Sequence, residues 1–219
     1  MNHSPNSIAF LTEALVFPPV EKANSEGLLA VGGDLSADRL LLAYRNGIFP
    51  WFNEDSLILW WSPDPRMVLF PGELKISKSL KRTLKKNLYT VSRNRSFADI
   101  IQQCAAVPRP GQGGTWITSG MQEAYIELHQ RGIAVSYEVW KEKELVGGLY
   151  GLQLGKVFCG ESMFSTASDA SKVALVQLVR DCRENGIELI DCQVYTSHLE
   201  SLGAREIPRE EYLKYLKRK

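Results

Sequence analysis

A short apolar segment near the C-terminal end, ELIDCQV (188–194), carries an acid and an amide at a spacing that could do chemistry. The segment is apolar enough for a buried strand, in which successive side chains point to opposite faces. Asp191 and Gln193 would then share one face. The other face would be wholly apolar, formed by Ile190, Cys192 and Val194. Polar groups on an interior strand need partners because burying them alone is costly, so the pair either satisfies a loop or helix end or serves a reaction.

The composition is that of an ordinary folded domain and excludes several classes of function. The chain has 219 residues, of which 44% are hydrophobic and 23% charged, enough for one large or two modest cores. A net charge of +1 argues against bulk, sequence-independent binding of nucleic acid, although a local basic patch would suffice for a specific contact.

The four cysteines and three histidines show no metal-ligand spacing and no disulfide framework, so no metal site is predicted. The start, MNHSPNSIAF, lacks the basic and apolar regions of a signal peptide, and no run reaches the length of a membrane span. These features predict a cytoplasmic protein.

The first third is rich in Pro, Gly and aromatic residues. A short helix is predicted from Ser36 to Asn46, capped by Ser36 and ended by Gly47. Prolines around the next tryptophans predict loops or short edge strands for Trp51, Trp60 and Trp61. Residues 75–88 have helical periodicity, with an apolar stripe opposite a basic arc formed by Lys78, Lys81, Arg82 and Lys85. That arc is either a solvated face or a phosphate contact.

The remainder predicts an α+β arrangement with a mixed sheet. A helix begins at Ser119, where SGMQ reads as a capping box. Strands 133–140, 145–152 and 156–161, helix 170–185, strand 188–194, a short helix near 198–202 and a last helix from Pro208 follow. N-acetyltransferase relatives use this order and hold the acyl donor where strands splay apart, which is an analogy of fold only. Their [QR]xxGx[GA] phosphate loop is absent, since RPGQGG at Arg109 has its glycines misplaced.

Several long strings together resemble the leucyl/phenylalanyl-tRNA–protein transferase family. They are GLLAVGGDLS, AYRNGIFPWF, LWWSPDPR, GTWIT, VGGLYG, CGESMFS followed by ASK, LIDCQV and SLGAREIPREEY, in order from about residue 25 to 215. The resemblance implies transfer of leucine or phenylalanine from leucyl- or phenylalanyl-tRNA to the α-amino group of proteins with N-terminal Arg or Lys, which creates an N-degron. It implies a small N-terminal domain (1–70) packed on an acetyltransferase-like domain (71–219), acting as a monomer without metal or CoA. Functions of the longer C-terminal tail of some relatives cannot be carried over, and Leu149 replaces a Met of others.

The implied reaction is aminolysis of an ester, and the family pattern assigns Asp191 and Gln193 as its catalytic pair. The attacking α-amine has an ordinary pKa of about 7.7–8.0, so alignment rather than a strong base can supply much of the acceleration. A side-chain amide is scarcely basic. We therefore expect the Gln193 carbonyl to accept a hydrogen bond from the amine, with Asp191 orienting that amide and offsetting charge on nitrogen.

The resemblance also suggests the residues that hold the donor. Trp51 and Trp116 would stack on the terminal adenosine, and Glu161 would lie in the donor pocket with Tyr44 and Tyr125 as hydrogen-bond partners. By residue type alone, we expect Leu149, Phe158, Met163 and Leu175 to form the pocket for the amino-acid side chain, although core residues would have the same types. Trp60, Trp61 and Trp140 are interpreted as packing. Two other readings stay open: a transferase for another acceptor, such as acidic N-termini, and a catalytically silent RNA- or degron-binding module.

Overall fold

The computed structural model describes residues 8–107 and 115–218. The glycine-rich string at Arg109, and the GQGG that precedes Thr115, lie outside the described residues. Within those ranges the strands are β1 (Ala9–Leu11), β2 (Leu28–Gly32), β3 (Phe49–Pro50), β4 (Leu59–Trp61), β5 (Arg66–Leu69), β6 (Thr90–Arg93), β7 (Ala134–Lys141), β8 (Glu144–Leu154), β9 (Val157–Ser165), β10 (Leu189–Gln193) and β11 (Arg205–Ile207). The α-helices are α1 (Ala37–Arg45), α2 (Lys78–Lys85), α3 (Phe97–Ala106), α4 (Ser119–Gln130), α5 (Ala170–Glu184), α6 (Ser197–Ser201) and α7 (Arg209–Leu216).

The larger sheet has seven strands in the order β11-β5-β10-β9-β8-β7-β6. Only β9 and β10 pair in parallel, and the other neighbours are antiparallel. The predicted α+β class with a mixed sheet is therefore confirmed. Helix α5 contacts one group of apolar residues along β7, β8 and β9, while α3 and α4 pack against a separate cluster.

The smaller sheet has the order β1-β2-β4-β3. Strand β4 has a neighbour on each side, so the prediction of loops or edge strands was wrong for Trp60 and Trp61. Prolines around β4 do not prevent pairing because the strand is only three residues long. The division at residue 70 stays a prediction; β5, which precedes it, belongs to the larger sheet.

The predicted helices form with small differences at their ends. The Ser36 hydroxyl accepts a hydrogen bond from the Arg39 N–H and caps α1, and Gly47 follows the helix with a φ of +75°. The cap of α4 is Thr118, whose side chain accepts from the Met121 N–H, so the predicted cap at Ser119 was one residue late. Either residue type can cap a helix, and the sequence alone does not separate adjacent candidates.

A gap opens between β9 and β10 because their pairing is short. Leu189 to Asp191 pair with Val157 to Cys159, and beyond those residues β9 pairs only with β8 while β10 pairs only with β5. This separation places the segments 160–163 and 192–195 on opposite sides of one opening.

Candidate active site

A cavity of about 550 Å³ lies in the opening between β9 and β10. Its size is within the range of small-molecule sites. It is lined by all four residues predicted for a side-chain pocket and by five predicted for chemistry or donor binding: Leu149, Phe158, Met163, Leu175, Trp51, Trp116, Glu161, Asp191 and Gln193. The fold thus brings together residues that are up to 142 positions apart in the chain (51 to 193).

Gln193 occupies an irregular position at the end of β10. The register with β5 shifts between Asp191 and Gln193, so Cys192 is an extra residue, and Gln193 has a φ of +60°. Its side-chain Nε2 donates a hydrogen bond to Glu161 Oε1 at 3.1 Å. This contact orients the amide so that its carbonyl oxygen belongs to a side chain that lines the cavity. That oxygen can accept a hydrogen bond from a molecule in the cavity.

Glu161 connects Gln193 to two tyrosines. The Tyr125 hydroxyl donates to Glu161 Oε2 at 2.9 Å, and the Tyr44 and Tyr125 hydroxyls are hydrogen-bonded to each other. Of the two tyrosines predicted as partners of Glu161, Tyr125 hydrogen-bonds it directly and Tyr44 reaches it through Tyr125. Burial raises the pKa of Glu161 to about 7, and burial together with the nearby Glu161 charge raises the pKa of both tyrosines.

Asp191 is held by a different set of groups. The Arg66 Nε and a terminal nitrogen bind its two carboxylate oxygens at 2.8 and 2.7 Å, and neither side chain is exposed. The Tyr212 hydroxyl donates to Oδ2 at 2.9 Å, and the Gln193 backbone N–H donates to Oδ1 at 3.0 Å. Each oxygen therefore accepts two hydrogen bonds.

The expectation that Asp191 orients the Gln193 amide was wrong, because Glu161 makes that contact and Asp191 binds the backbone of Gln193. The alternation of faces also fails here. Three residues predicted on the opposite face also line the cavity: Ile190, Cys192 and Val194. The bulge and the separation of β9 from β10 open the cavity to both faces of this short segment.

The two tryptophans predicted to stack on a base both line the cavity, but their side chains differ in solvent exposure. Trp51 follows β3 and is 38% exposed, with its ring 5.9 Å from that of Trp61, whose Nε1 donates to the Trp51 carbonyl at 2.7 Å. Trp116 is 9% exposed. Trp60 is fully buried and its Nε1 donates to Gly32, in line with a packing role. The Trp140 indole donates to Ser92.

The basic arc lies on α2, away from the cavity wall. Its four side chains are all exposed: Lys78, Lys81, Arg82 and Lys85. None of them lines the cavity or forms an ion pair among the described residues. Whether these charges contact phosphate stays a prediction.

Arg66 and Tyr212 were missed as members of the site. Arg66 had a signal, because an arginine directly before the apolar run Met67–Phe70 predicts a buried cation that needs an anion. Tyr212 lies on α7 and is the last residue of the family string SLGAREIPREEY, but nothing in that string pointed to a contact with Asp191. No group of three or more His, Cys, Asp or Glu residues suited to hold a metal occurs in 8–107 or 115–218. No helix within the same ranges is long and apolar enough to cross a bilayer.

Comparison with known proteins identifies a family over nearly the whole chain. Residues 68–217 match the model of the leucyl/phenylalanyl-tRNA protein transferase family, and residues 33–64 match the N-terminal domain of the same family. A leucyl/phenylalanyl-tRNA–protein transferase of Flavobacterium johnsoniae is 57% identical over 210 residues, covering 96% of this chain and 99% of the relative. That of Syntrophobacter fumaroxidans is 62% identical over 206 residues, covering 94% and 88%. A GCN5-related N-acetyltransferase-like protein from Streptococcus suis is 10% identical, with a TM-score of 0.38, over 74% of this chain and 59% of that chain.

Proposed function

Because this chain belongs to the leucyl/phenylalanyl-tRNA–protein transferase family and is therefore an aminoacyltransferase, we propose that it transfers leucine or phenylalanine to the α-amino group of proteins with N-terminal Arg or Lys. The new N-terminal residue would mark the product for degradation as an N-degron. The observation that carries the proposal is the oriented Gln193 amide on the wall of a cavity that the predicted donor residues also line.

The reaction requires little besides alignment of an amine with an ester. The neutral α-amine attacks the aminoacyl ester carbonyl, a C–N bond forms, and the adenosine ribose oxygen leaves with a proton from the nitrogen. The Gln193 carbonyl accepts a hydrogen bond from the amine and directs its lone pair at the ester. Such alignment can lower a barrier by as much as ~7–11 kcal/mol in favourable cases.

In this proposal Glu161 takes the electrostatic role that the family pattern had suggested for Asp191. The Asp191 charge is paired with Arg66, whereas no ion pair to Glu161 occurs among the described residues. Glu161 lies directly behind the Gln193 amide. When ionised, its negative charge stabilises the positive charge that develops on the attacking nitrogen. The same carboxylate lines the cavity and would attract a positively charged acceptor peptide, such as one with an N-terminal Arg or Lys.

The apolar part of the cavity would hold the leucine or phenylalanine side chain. Its wall includes Leu149 and Met163 from neighbouring strands and Leu175 from α5. Such a wall discriminates by only ~1–3 kcal/mol per methylene, so exclusion of Ile and Val would depend on shape at the β-carbon.

The donor tRNA would be held at two places. Trp51 and Trp116 would stack on the terminal adenosine, at about 1–3 kcal/mol each, and the basic face of α2 would contact the acceptor stem. The proposal needs neither metal nor CoA. We also propose that the protein acts as a monomer in the cytoplasm, where aminoacyl-tRNA is made.

One assay tests the proposal against its alternatives. The protein is incubated with leucyl-tRNA and peptides that begin with Arg, Lys, Asp or Glu, and the products are identified by mass. Leucine on the Arg and Lys peptides supports the proposal. Leucine only on the Asp or Glu peptides would show another acceptor specificity, and tRNA binding without product would show a silent binding module.

The assay has a matched pair of variants. Gln193→Ala should lose most of the transfer rate, while Gln153→Ala should retain it. Gln153 lies near the end of β8 and hydrogen-bonds Arg93 at the surface, away from the cavity.

A further inference from the structure

The Gln193 backbone has a conformation that its residue type does not favour. A φ of +60° is uncommon for a residue with a side chain, and here Cys192 O and Val194 N close a tight turn around it at 2.8 Å. Such a conformation persists only where the surroundings hold it. The backbone N–H of Gln193 donates to Asp191 Oδ1. The position of this carboxylate therefore fixes the backbone from which the Gln193 side chain extends.

Arg66 in turn fixes that carboxylate. Its two N–H groups bind both oxygens of Asp191, and its guanidinium lies between the rings of Phe49 and Tyr212, 4.8 and 4.7 Å from their centroids. A further N–H of Arg66 donates to the Gly47 carbonyl at 3.2 Å. Arginine alone among the side chains offers such a planar fork, and a lysine supplies one charge without fixed direction.

We propose that Arg66 is a positioning residue for transfer, which acts through Asp191 to hold Gln193 in its left-handed conformation with the amide directed at Glu161 and the cavity. The inference rests on the proposed role of Gln193 as the group that contacts the amine. It makes Asp191 a residue that positions the Gln193 backbone. The Arg66 charge neutralises its carboxylate, and each of its oxygens already accepts two hydrogen bonds.

Arg66→Lys is the informative variant, because it keeps the charge and removes the fork. The expected result is a loss of about 100-fold in the single-turnover rate from bound leucyl-tRNA, the scale of a misplacement of ~1 Å. The dissociation constant for leucyl-tRNA should be unchanged. Amide hydrogen exchange at Gln193 should become faster, since its acceptor is no longer fixed.

Arg39→Lys is the matched control. Arg39 is also fully buried and binds a carboxylate, Asp34, through Nε and a terminal nitrogen at 3.1 and 2.9 Å, but it does not line the cavity. It should lose stability as Arg66→Lys does while keeping the wild-type rate. Equal losses of rate in the two variants would reduce the effect to general destabilisation and overturn the proposal.

A double-variant cycle separates action through Asp191 from independent action. If Arg66 works through the carboxylate, Arg66→Lys combined with Asp191→Asn should be about as slow as the slower single variant. A double variant whose loss of rate equals the product of the two single-variant losses would overturn the proposal. Tyr212→Phe keeps the ring over Arg66 but removes one hydrogen bond to Asp191 Oδ2. We expect a smaller loss of single-turnover rate from it, and it replaces Arg66→Lys as the test if that variant does not fold.

The exchange measurement also distinguishes failure of this inference from failure of the proposed function. It needs no substrate, so it remains decisive if the wild-type protein makes no product. Protection of the Gln193 amide that is equal in wild type and Arg66→Lys would overturn the positioning role, whatever the activity.

Discussion

Replacing Glu161 by glutamine should stabilise the fold above neutral pH and slow transfer at once. Burial raises the pKa of Glu161 from its ordinary 4.5 to about 7. Between these values the folded state holds a proton that the unfolded state has released, so stability falls as pH rises through that window. At about 1.4 kcal/mol per pKa unit, ionisation of Glu161 costs the folded state about 3.5 kcal/mol in full, and nearly all of this is reached by about pH 8.

Glu161→Gln removes that cost because glutamine does not ionise. It also weakens one hydrogen bond, worth about 1 kcal/mol, so the net gain at pH 8 should be about 2.5 kcal/mol. Urea unfolding at pH 5 and pH 8 measures both proteins. The difference between variant and wild type should grow by about 2.5 kcal/mol between these pH values, since other groups titrate equally in both.

The loss of rate follows from the direction of the hydrogen bonds. The Tyr125 hydroxyl donates to one oxygen of Glu161 and the Gln193 Nε2 to the other. A glutamine at position 161 has one oxygen, which Tyr125 would occupy, so its NH₂ group faces Gln193. The Gln193 amide must then turn, present its own NH₂ to the cavity and lose its contact with the amine. We expect a loss of ~100-fold or more in single-turnover rate.

The control for this experiment is Glu144→Gln, at an exposed glutamate that begins β8 far along the strand from the cavity. It should change neither the pH dependence nor the rate. A variant at Glu161 that keeps the wild-type pH slope would refute the account of its ionisation. A variant that transfers leucine at the wild-type rate would refute the account of Gln193.

Three further outcomes are expected. Trp51→Ala should weaken equilibrium binding of leucyl-tRNA by about 1–3 kcal/mol, because the partly exposed side chain would no longer stack on the terminal base; unchanged binding would remove Trp51 from the donor site. Reversing Lys81 and Lys85 to Glu should lower the slope of log affinity against log salt by about 2, whereas Lys143→Glu should not; an unchanged slope would make α2 a solvated face. Glu138→Gln should cost about 1–3 kcal/mol in urea unfolding, because its fully buried carboxylate accepts four hydrogen bonds; an unchanged midpoint would contradict that.

The fold was predictable where the periodicity was long and unambiguous. The helix at 170–184 and the strands at 134–141 and 144–154 formed within a few residues of their predicted ends. Short elements of the first third were not predictable in the same way. Strands of two to five residues carry too few alternations to show a period, and their pairing depends on partners distant in sequence, as Leu28 with Trp61 shows.

The residues predicted for the candidate site line one cavity, but the partners of its polar groups were not all predicted. Leu149 and Met163 lie in family motifs, whereas Phe158 and Leu175 were predicted from their residue types alone. The partner of each polar group could not be read from spacing, because Arg66 and Asp191 meet across 125 positions and Tyr212 joins them from the last helix. Such contacts exist only after the sheet has formed.

Strand β10, which carries the proposed catalytic pair, shows why the rule of alternating faces fails at this site. Alternation treats Asp191 and Gln193 as equivalent, two residues apart on one face, but the bulge at Cys192 and the left-handed backbone of Gln193 direct them to different partners. One carboxylate, Asp191, receives a cation and becomes an anchor. The other, Glu161, forms no ion pair within the part of the chain that the structure describes, and burial raises its pKa to about 7. In the proposed mechanism the electrostatic role therefore belongs to the carboxylate without an ion pair, and the backbone of Gln193 is held by the carboxylate that Arg66 neutralises.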